Sequence, residues 1–336
     1  MIHKYKILQA AIITIFLLIS DGVFMNSISA QTCSCAGAPL VGAQSLGSIE
    51  QGNLVLGFTT HFNNIDKLYT GSEELNNRSA DRSTFTNLLE ANYGITNRLS
   101  LTGTFSYVTK ERVTGLQNPS TSQTLQTGGI GDALVMLKYN LIKQSLWKPY
   151  QLIIGGGAKI PTGSFSETLD RIQLNADMQP GTGSWDYTAW TFFSYTLRAQ
   201  NITLFTVNAI KKTTSAERFN SNDNFEFGNE LNSLLGVTGP LLNRFSYNLR
   251  MKYRTAGSDL RNGVELPSTG GEWLNFEPGL GYQLTDRLSM QVSGELPIYR
   301  NVTGTQPSTT YVLSASLFFS LNKSEGGFNL GLPNRN

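Results

Sequence analysis

Twelve segments of alternating apolar and polar residues, joined by connections that are alternately short and long, predict an all-β chain. The architecture they predict is a single 12-stranded antiparallel transmembrane β-barrel behind a cleaved signal peptide. Composition agrees. Only 15 % of the 336 residues are charged, against about a quarter in a typical soluble domain. Mean hydropathy is nevertheless −0.17, too low for a bundle of apolar helices. The formal net charge of +2 offers no basic surface for nucleic acid, which is set aside as a partner.

The order of elements begins with His3, Lys4 and Lys6, followed by the apolar run from Ile7 to Ile19. That run is shorter than the roughly 20 residues a spanning helix needs. With Ser29-Ala30 ahead of Gln31, it reads as a signal peptide over 1–30. A periplasmic N-terminal segment is expected at 31–48, the barrel at 49–321 and a C-terminal tail at 322–336.

Strand segments are expected near 49–61, 83–94, 98–109, 129–141, 149–160, 184–197, 201–213, 225–238, 244–255, 272–284, 287–298 and 309–321. In the third, Leu99, Leu101, Gly103, Phe105 and Tyr107 share one face, while Ser100, Thr102, Thr104 and Ser106 share the other. Short connections lie near 95–97, 142–148, 198–200, 239–243 and 285–286. Long ones lie near 62–82, 110–128, 161–183, 214–224, 256–271 and 299–308. Tight turns at one end, long loops at the other and an even strand count are the layout of a bacterial outer-membrane barrel. The expected partners are outer-membrane lipid, the barrel-assembly machinery and a small-molecule permeant.

The tyrosines favour lipid over a soluble core as the surrounding of the apolar face. Tyr93, Tyr139, Tyr150, Tyr195, Tyr247 and Tyr282 fall on that face beside the short turns, and Tyr107, Tyr187, Tyr253 and Tyr311 at its other end. Two rings of amphipathic aromatics match the two membrane interfaces.

Three glycine-rich motifs stand out: G-G-I-G-D-A-L-V-M-L-K-Y at 128–139, A-K-I-P-T-G at 158–163 and Q-P-G-T-G-S-W-D at 179–186. In order and spacing they resemble the outer-membrane barrels named for the meta-pathway of phenol degradation. The resemblance is strongest over 128–190. It implies an outer-membrane channel for small molecules, aromatic or otherwise hydrophobic ones among them.

The polar face supplies the candidate substrate path. Counting from the tight turns sets Asp132 opposite Lys159, and Glu230 opposite Lys252 with Arg250 and Arg254 beside it; Glu277 and Glu295 become close neighbours. Charges cannot face lipid cheaply, so these eight residues are expected in the lumen as a bracing network, a selective constriction, or both.

No catalytic residue is assigned. The single histidine after the signal, His61, carries the alternative of a barrel hydrolase, which needs a positioned imidazole. A non-conducting structural barrel is a further alternative. Cys33 and Cys35, the only cysteines, are weak metal candidates because two thiolates still need further ligands. No cofactor is expected.

Overall fold

A computed structural model of the chain describes residues 49–76, 80–116, 120, 122–219 and 223–321. The expected signal peptide, the Cys33-Ser34-Cys35 segment and the tail 322–336 lie outside the described residues. Twelve strands form the wall: β1 (Leu54–Ile65), β2 (Ala80–Gly94), β3 (Leu99–Thr114), β4 (Gln123–Ile130 and Ala133–Ile142), β5 (Tyr150–Ile160) and β6 (Asp186–Leu197). They continue as β7 (Ile202–Lys212), β8 (Glu230–Leu242), β9 (Phe245–Ala256), β10 (Gly271–Gln283), β11 (Leu288–Ser308) and β12 (Tyr311–Ser320). Every strand pairs antiparallel with its neighbour in sequence, and β12 pairs with β1, from Val55↔Ser320 to Asn64↔Tyr311. The sheet is therefore a closed barrel, as the alternation predicts.

Outward and inward faces separate by parity. Leu89 and Phe105, paired across β2 and β3, are 52 % and 55 % exposed, whereas Thr104 beside Phe105 is fully buried. Tyr93, Tyr107, Tyr139 and Tyr187 are exposed on the outer face. At the short-turn end the rings of Tyr282 and Phe245 are 4.6 Å apart. On the outer wall Thr60, Pro278, Gly294 and Ala315 help to line a concavity of about 660 Å³ rimmed by Phe62 and Leu313. Pro278 can donate no ladder bond there.

The strands run further than expected at the long-loop end. Pairing of β2 with β3 continues to Ala80↔Thr114, and β11 is 21 residues long. Its upper part is joined by the short strand Lys67–Gly71. Inward Arg82, Thr84, Lys110 and Arg112 keep the alternation going with polar residues, so the wall outlasts the apolar band. Parts of the expected loops 62–82, 110–128 and 299–308 are thus strand. The loops also hold a small sheet of Ser215–Phe219, Asp223–Glu226, Leu260–Arg261 and Val264–Glu265. The described residues also include a short 3-10 turn, Ala176–Met178.

Two expected registers are corrected. Glu230 stands opposite Ala256, and Lys252 opposite Leu234. The hairpin between β8 and β9 turns on Asn243 and Arg244 alone, with Asn243 at φ 38° and a bulge between Pro240 and Leu242. The ladder therefore continues through residues that look like a turn. Likewise Lys159 stands opposite Leu134, because the bridge between Ser145 and Lys148 centres the turn on Leu146 and Trp147, later than the middle of the expected connection 142–148, and Asp132 lies in the break between the two parts of β4.

The inner face is not uniformly polar. Leu134, Met136, Ile153, Trp190, Phe192, Phe205, Val207, Ala209 and Leu234 form one buried cluster on β4 to β8. Trp190 and Phe192 are stacked with centroids 6.2 Å apart, and Lys138 Nζ lies 4.8 Å from the Trp190 ring centroid. Glycine makes room: a methyl on Gly157 would come within 2.5 Å of the Val135 carbonyl oxygen.

The parity assignment has a direct test. Leu89→Arg places a cation in mid-depth lipid and is expected to cost about 2–4 kcal/mol, read as a lower urea midpoint and loss of heat-modifiable mobility on gels. Leu89→Met at the same site should leave both near the parent values.

Candidate functional site: the latched mouth and the charged lumen

The three motifs converge on one point at the long-loop end. Asp132 in the break of β4 accepts hydrogen bonds from the backbone N–H of Gly163 at 3.1 Å and of Thr182 at 3.0 Å, and from Thr182 Oγ1 at 2.5 Å. Lys159 Nζ is 3.1 Å from Asp132 and 2.8 Å from Asp186, and it donates to Thr182 Oγ1. Thr162 Oγ1 donates to the Gly131 carbonyl at 3.1 Å and accepts from Ala133 N–H at 2.9 Å. The backbones of Gly163 and Gly181 touch; a methyl on Gly163 would lie 2.7 Å from Gly181 Cα. Each motif thus supplies one part of a single latch.

The latch holds the connection from β5 to β6 inside the barrel mouth. Gln179, fully buried, accepts from Glu167 N–H at 2.8 Å and donates to the carbonyls of Glu167 and Leu174. Beyond it, Asp177 is bound by Arg82 at 2.7 Å and by Arg112, both on the inner face of the β2–β3 hairpin. Lys110 Nζ donates to the carbonyls of Asp177 and Gln179, each at 2.8 Å. Thr127 Oγ1 donates to the Met178 carbonyl at 2.6 Å. A segment bound to inward side chains of β2, β3 and β4 narrows the passage on that side.

Parts of the β7–β8 and β9–β10 connections pack on the same segment. Ala176, Phe219, Phe225 and Phe227 form a buried cluster, with Phe165 and Leu266 against it. Asp223 accepts from Asn262 Nδ2 at 2.7 Å and from Arg261 Nε at 2.9 Å. Those hydrogen bonds, Asn262 first, hold its carboxyl below the usual carboxylate range.

Deeper in the lumen, strands β7 to β11 carry a lattice of ion pairs. Glu230 is held by Arg254, with Nε at 2.8 Å, and by Lys211 at 2.8 Å. Arg250 pairs with Glu277. Lys252 pairs with Glu295 at 2.8 Å, which also accepts from Asn275 Nδ2 at 2.5 Å. The flanking pairs Asn275↔Pro297 and Gly279↔Ser293 leave Glu277 level with Glu295. Each of these carboxylates is matched by at least one cation, as low-dielectric surroundings demand.

All eight expected residues therefore face the interior, with altered partners. Asp132 meets Lys159 diagonally, and Glu230 meets Arg254 and Lys211 in place of Lys252. Sequence reasoning missed Asp186, Thr182 and the Asp177 cluster. Asp186 and Thr182 were within reach, since both lie in the third motif. Nothing local marks Asp177, whose partners are 65 and 95 residues away.

His61 faces the lumen, and its Nδ1 is 2.7 Å from Ser314 Oγ. Its Nε2 is buried without a partner among the described residues, and none of their acids or amides orients the ring as a hydrolytic triad requires. Among the described residues, no group of three or more His, Cys, Asp or Glu side chains is disposed to hold a metal.

No family model and no curated protein sequence matches the chain. Its fold is similar to the crystal structure of an outer membrane channel from Pseudomonas putida F1. The TM-score is 0.67 at 14 % identity, over 84 % of this chain and 100 % of that one. Weaker likenesses include the translocator domain of the autotransporter NalP from Neisseria meningitidis, at TM-score 0.46 and 9 % identity over 82 % of this chain and 91 % of that one. A TodX monoaromatic hydrocarbon channel variant scores 0.43 at 11 % identity over 82 % and 91 %. At 14 % identity the first of these likenesses establishes the fold: an outer-membrane-type β-barrel.

The latch predicts a specific coupling. Lys159→Met leaves Asp132 and Asp186 buried without their cation and should cost about 3–5 kcal/mol, with faster protease cleavage in 161–185. Asp132→Asn also weakens the grip on two loop amides. The double change should be milder than the sum by at least about 1 kcal/mol, measured by urea unfolding in detergent.

Proposed function

We propose that the chain is a selective outer-membrane channel for small molecules, aromatic or otherwise hydrophobic ones among them. The observation that carries the reading is the divided interior. An apolar wall with stacked Trp190 and Phe192 faces a lumen whose other wall is a lattice of paired charges, and the mouth above is narrowed by a latched loop. A barrel kept only as a structural element has no need of aromatic side chains inside. The apolar wall accommodates the body of a permeant, and the fixed charges select what enters and repel what does not.

The family resemblance of the three motifs belongs to this proposal, and the latch gives it physical content, because the motif residues hold the constriction. The signal peptide at 1–30 delivers the chain across the inner membrane. The barrel-assembly machinery then inserts it with the short turns in the periplasm and the long loops outside.

The mechanism follows from the geometry. A molecule arriving from outside meets the cap of phenylalanines and the inward segment around Asp177, then the divided lumen. Inner side chains such as Thr102, Asn140 and Val207 are at most 1 % exposed, so passage requires side-chain or loop displacement and small solutes do not flow freely. The loop 161–185 is the part whose release costs hydrogen bonds, ion pairs and the packing of Phe165 and Ala176 on the aromatic cluster and leaves the ladder intact.

Three measurements test the reading. Single-channel recordings should give small, flickering conductance in the parent protein. They should give larger, steadier conductance in Asp177→Ala, which frees the segment from Arg82 and Arg112. A silent parent and a silent variant, with no liposome swelling in either, point to the closed structural barrel. Protease added to intact cells should cut first in the long connections; cuts at 198–201 or 243–244 reverse the orientation.

A further inference from the structure

On the outer part of β11, the Arg300 guanidinium makes no direct ion pair with a described carboxylate, and Glu74 acts on its charge only from a distance. Its guanidinium carbon lies 4.2 Å from the centroid of Tyr69. Its Nη1 is shut from solvent and has no hydrogen-bond partner, while the side chain as a whole remains partly exposed. The carboxylate that acts on it is committed elsewhere. Glu74 accepts from Lys67 and from Tyr69 Oη, both at 2.9 Å.

Arg300 belongs to a row of the sheet that concentrates positive charge. It stands opposite Trp273, which stands opposite Arg254, and the Arg254 guanidinium lies 4.7 Å from the centroid of the Trp273 ring. Beyond Trp273, Arg254 shares the carboxylate of Glu230 with Lys211. Tyr69, Trp273 and Val302 are packed together around this point, so the guanidinium is held in place by rings and not by an acid. A fork of donors fixed on an aromatic face and lacking an anion is arranged to take a carboxylate.

We infer that Arg300 forms, with Tyr69 and Trp273, an entry site for an organic carboxylate with a compact apolar body. The carboxylate takes the place of the missing acid on Arg300, and the apolar body is passed on to the wall of Met136, Trp190 and Phe192. The inference deepens the channel reading by naming a substrate class and rests on that reading for the direction of entry.

The test is equilibrium binding to the full mature protein in detergent, by calorimetry, with sodium benzoate, benzyl alcohol and sodium sulfate as probes. Benzoate should bind the parent, and Arg300→Gln should weaken it roughly tenfold or more. Arg300→Lys, which keeps the charge and loses the fork, should fall between. Benzyl alcohol, similar in size and neutral, should bind more weakly than benzoate and be indifferent to both substitutions. Heat-modifiability checks that each variant is folded, and if Arg300→Gln is not, the Arg300→Lys titration decides alone. Equal benzoate affinity in the parent and the folded variant, or no benzoate binding, overturns the site. Sulfate displacing benzoate at equal concentration overturns the organic part of the assignment. Conductance is recorded separately on the parent: binding without conductance overturns the channel and spares the site, and conductance without binding does the reverse.

Discussion

Lipid offers no hydrogen-bond partner to a peptide group, and the rest of the structure depends on that constraint. A strand can enter a bilayer only if both its edges are paired, so the ladder from Val55↔Ser320 to Asn64↔Tyr311 that joins β12 to β1 is the condition for the other eleven. Closure fixes which residues meet lipid and which meet one another. Leu89, Phe105, Leu137 and Leu317 then form the outer surface. The charges excluded from it have nowhere to go but a narrow interior, where they must neutralise one another.

That interior combines two kinds of order. Trp190, Phe192 and Phe205 pack as in the core of a soluble protein, with glycines on β5 yielding the space. Around Glu230, Glu277 and Glu295 the order is electrostatic and directional, because each cation is held by a geometry that a displaced strand would lose. The latch around Asp132 adds a third arrangement, in which one carboxylate organises backbone from two other stretches of chain. The mouth, the aromatic cap and the inward loop are tied together through it.

Much of this was legible in the sequence because the strand period is short and the barrel repeats it. The run Leu99 to Tyr107 states its two faces unambiguously, and the tyrosines mark the heights. Register was less legible. Pro240, Leu241 and Leu242 look like part of a turn, yet a two-residue turn at Asn243 and Arg244 lets pairing run through them, which moves Glu230 away from Lys252. The inner aromatic wall was hidden for a different reason: in A-W-T-F-F-S-Y at 189–195 both faces carry rings, and alternation cannot say which is inside. The inward loop depends on contacts between Asp177 and strands far away in sequence. The contact of Asp132 with Lys159 was anticipated from an incorrect register, since long flexible side chains can meet across a diagonal.

The placement of the lumen charges also bears on the order in which the protein is made. The pairs Arg254 with Glu230, Lys211 with Glu230, Arg250 with Glu277 and Lys252 with Glu295 all join strands that are adjacent, or one apart, between β7 and β11. A curved partial sheet of those strands already carries its opposite charges side by side before the N-terminal half arrives. By contrast, Asp177 must wait for Arg82 and Arg112 from the N-terminal strands. The C-terminal half can therefore enter the bilayer as a nearly neutral assembly intermediate, leaving closure at β1 and seating of the loop as the late steps of biogenesis.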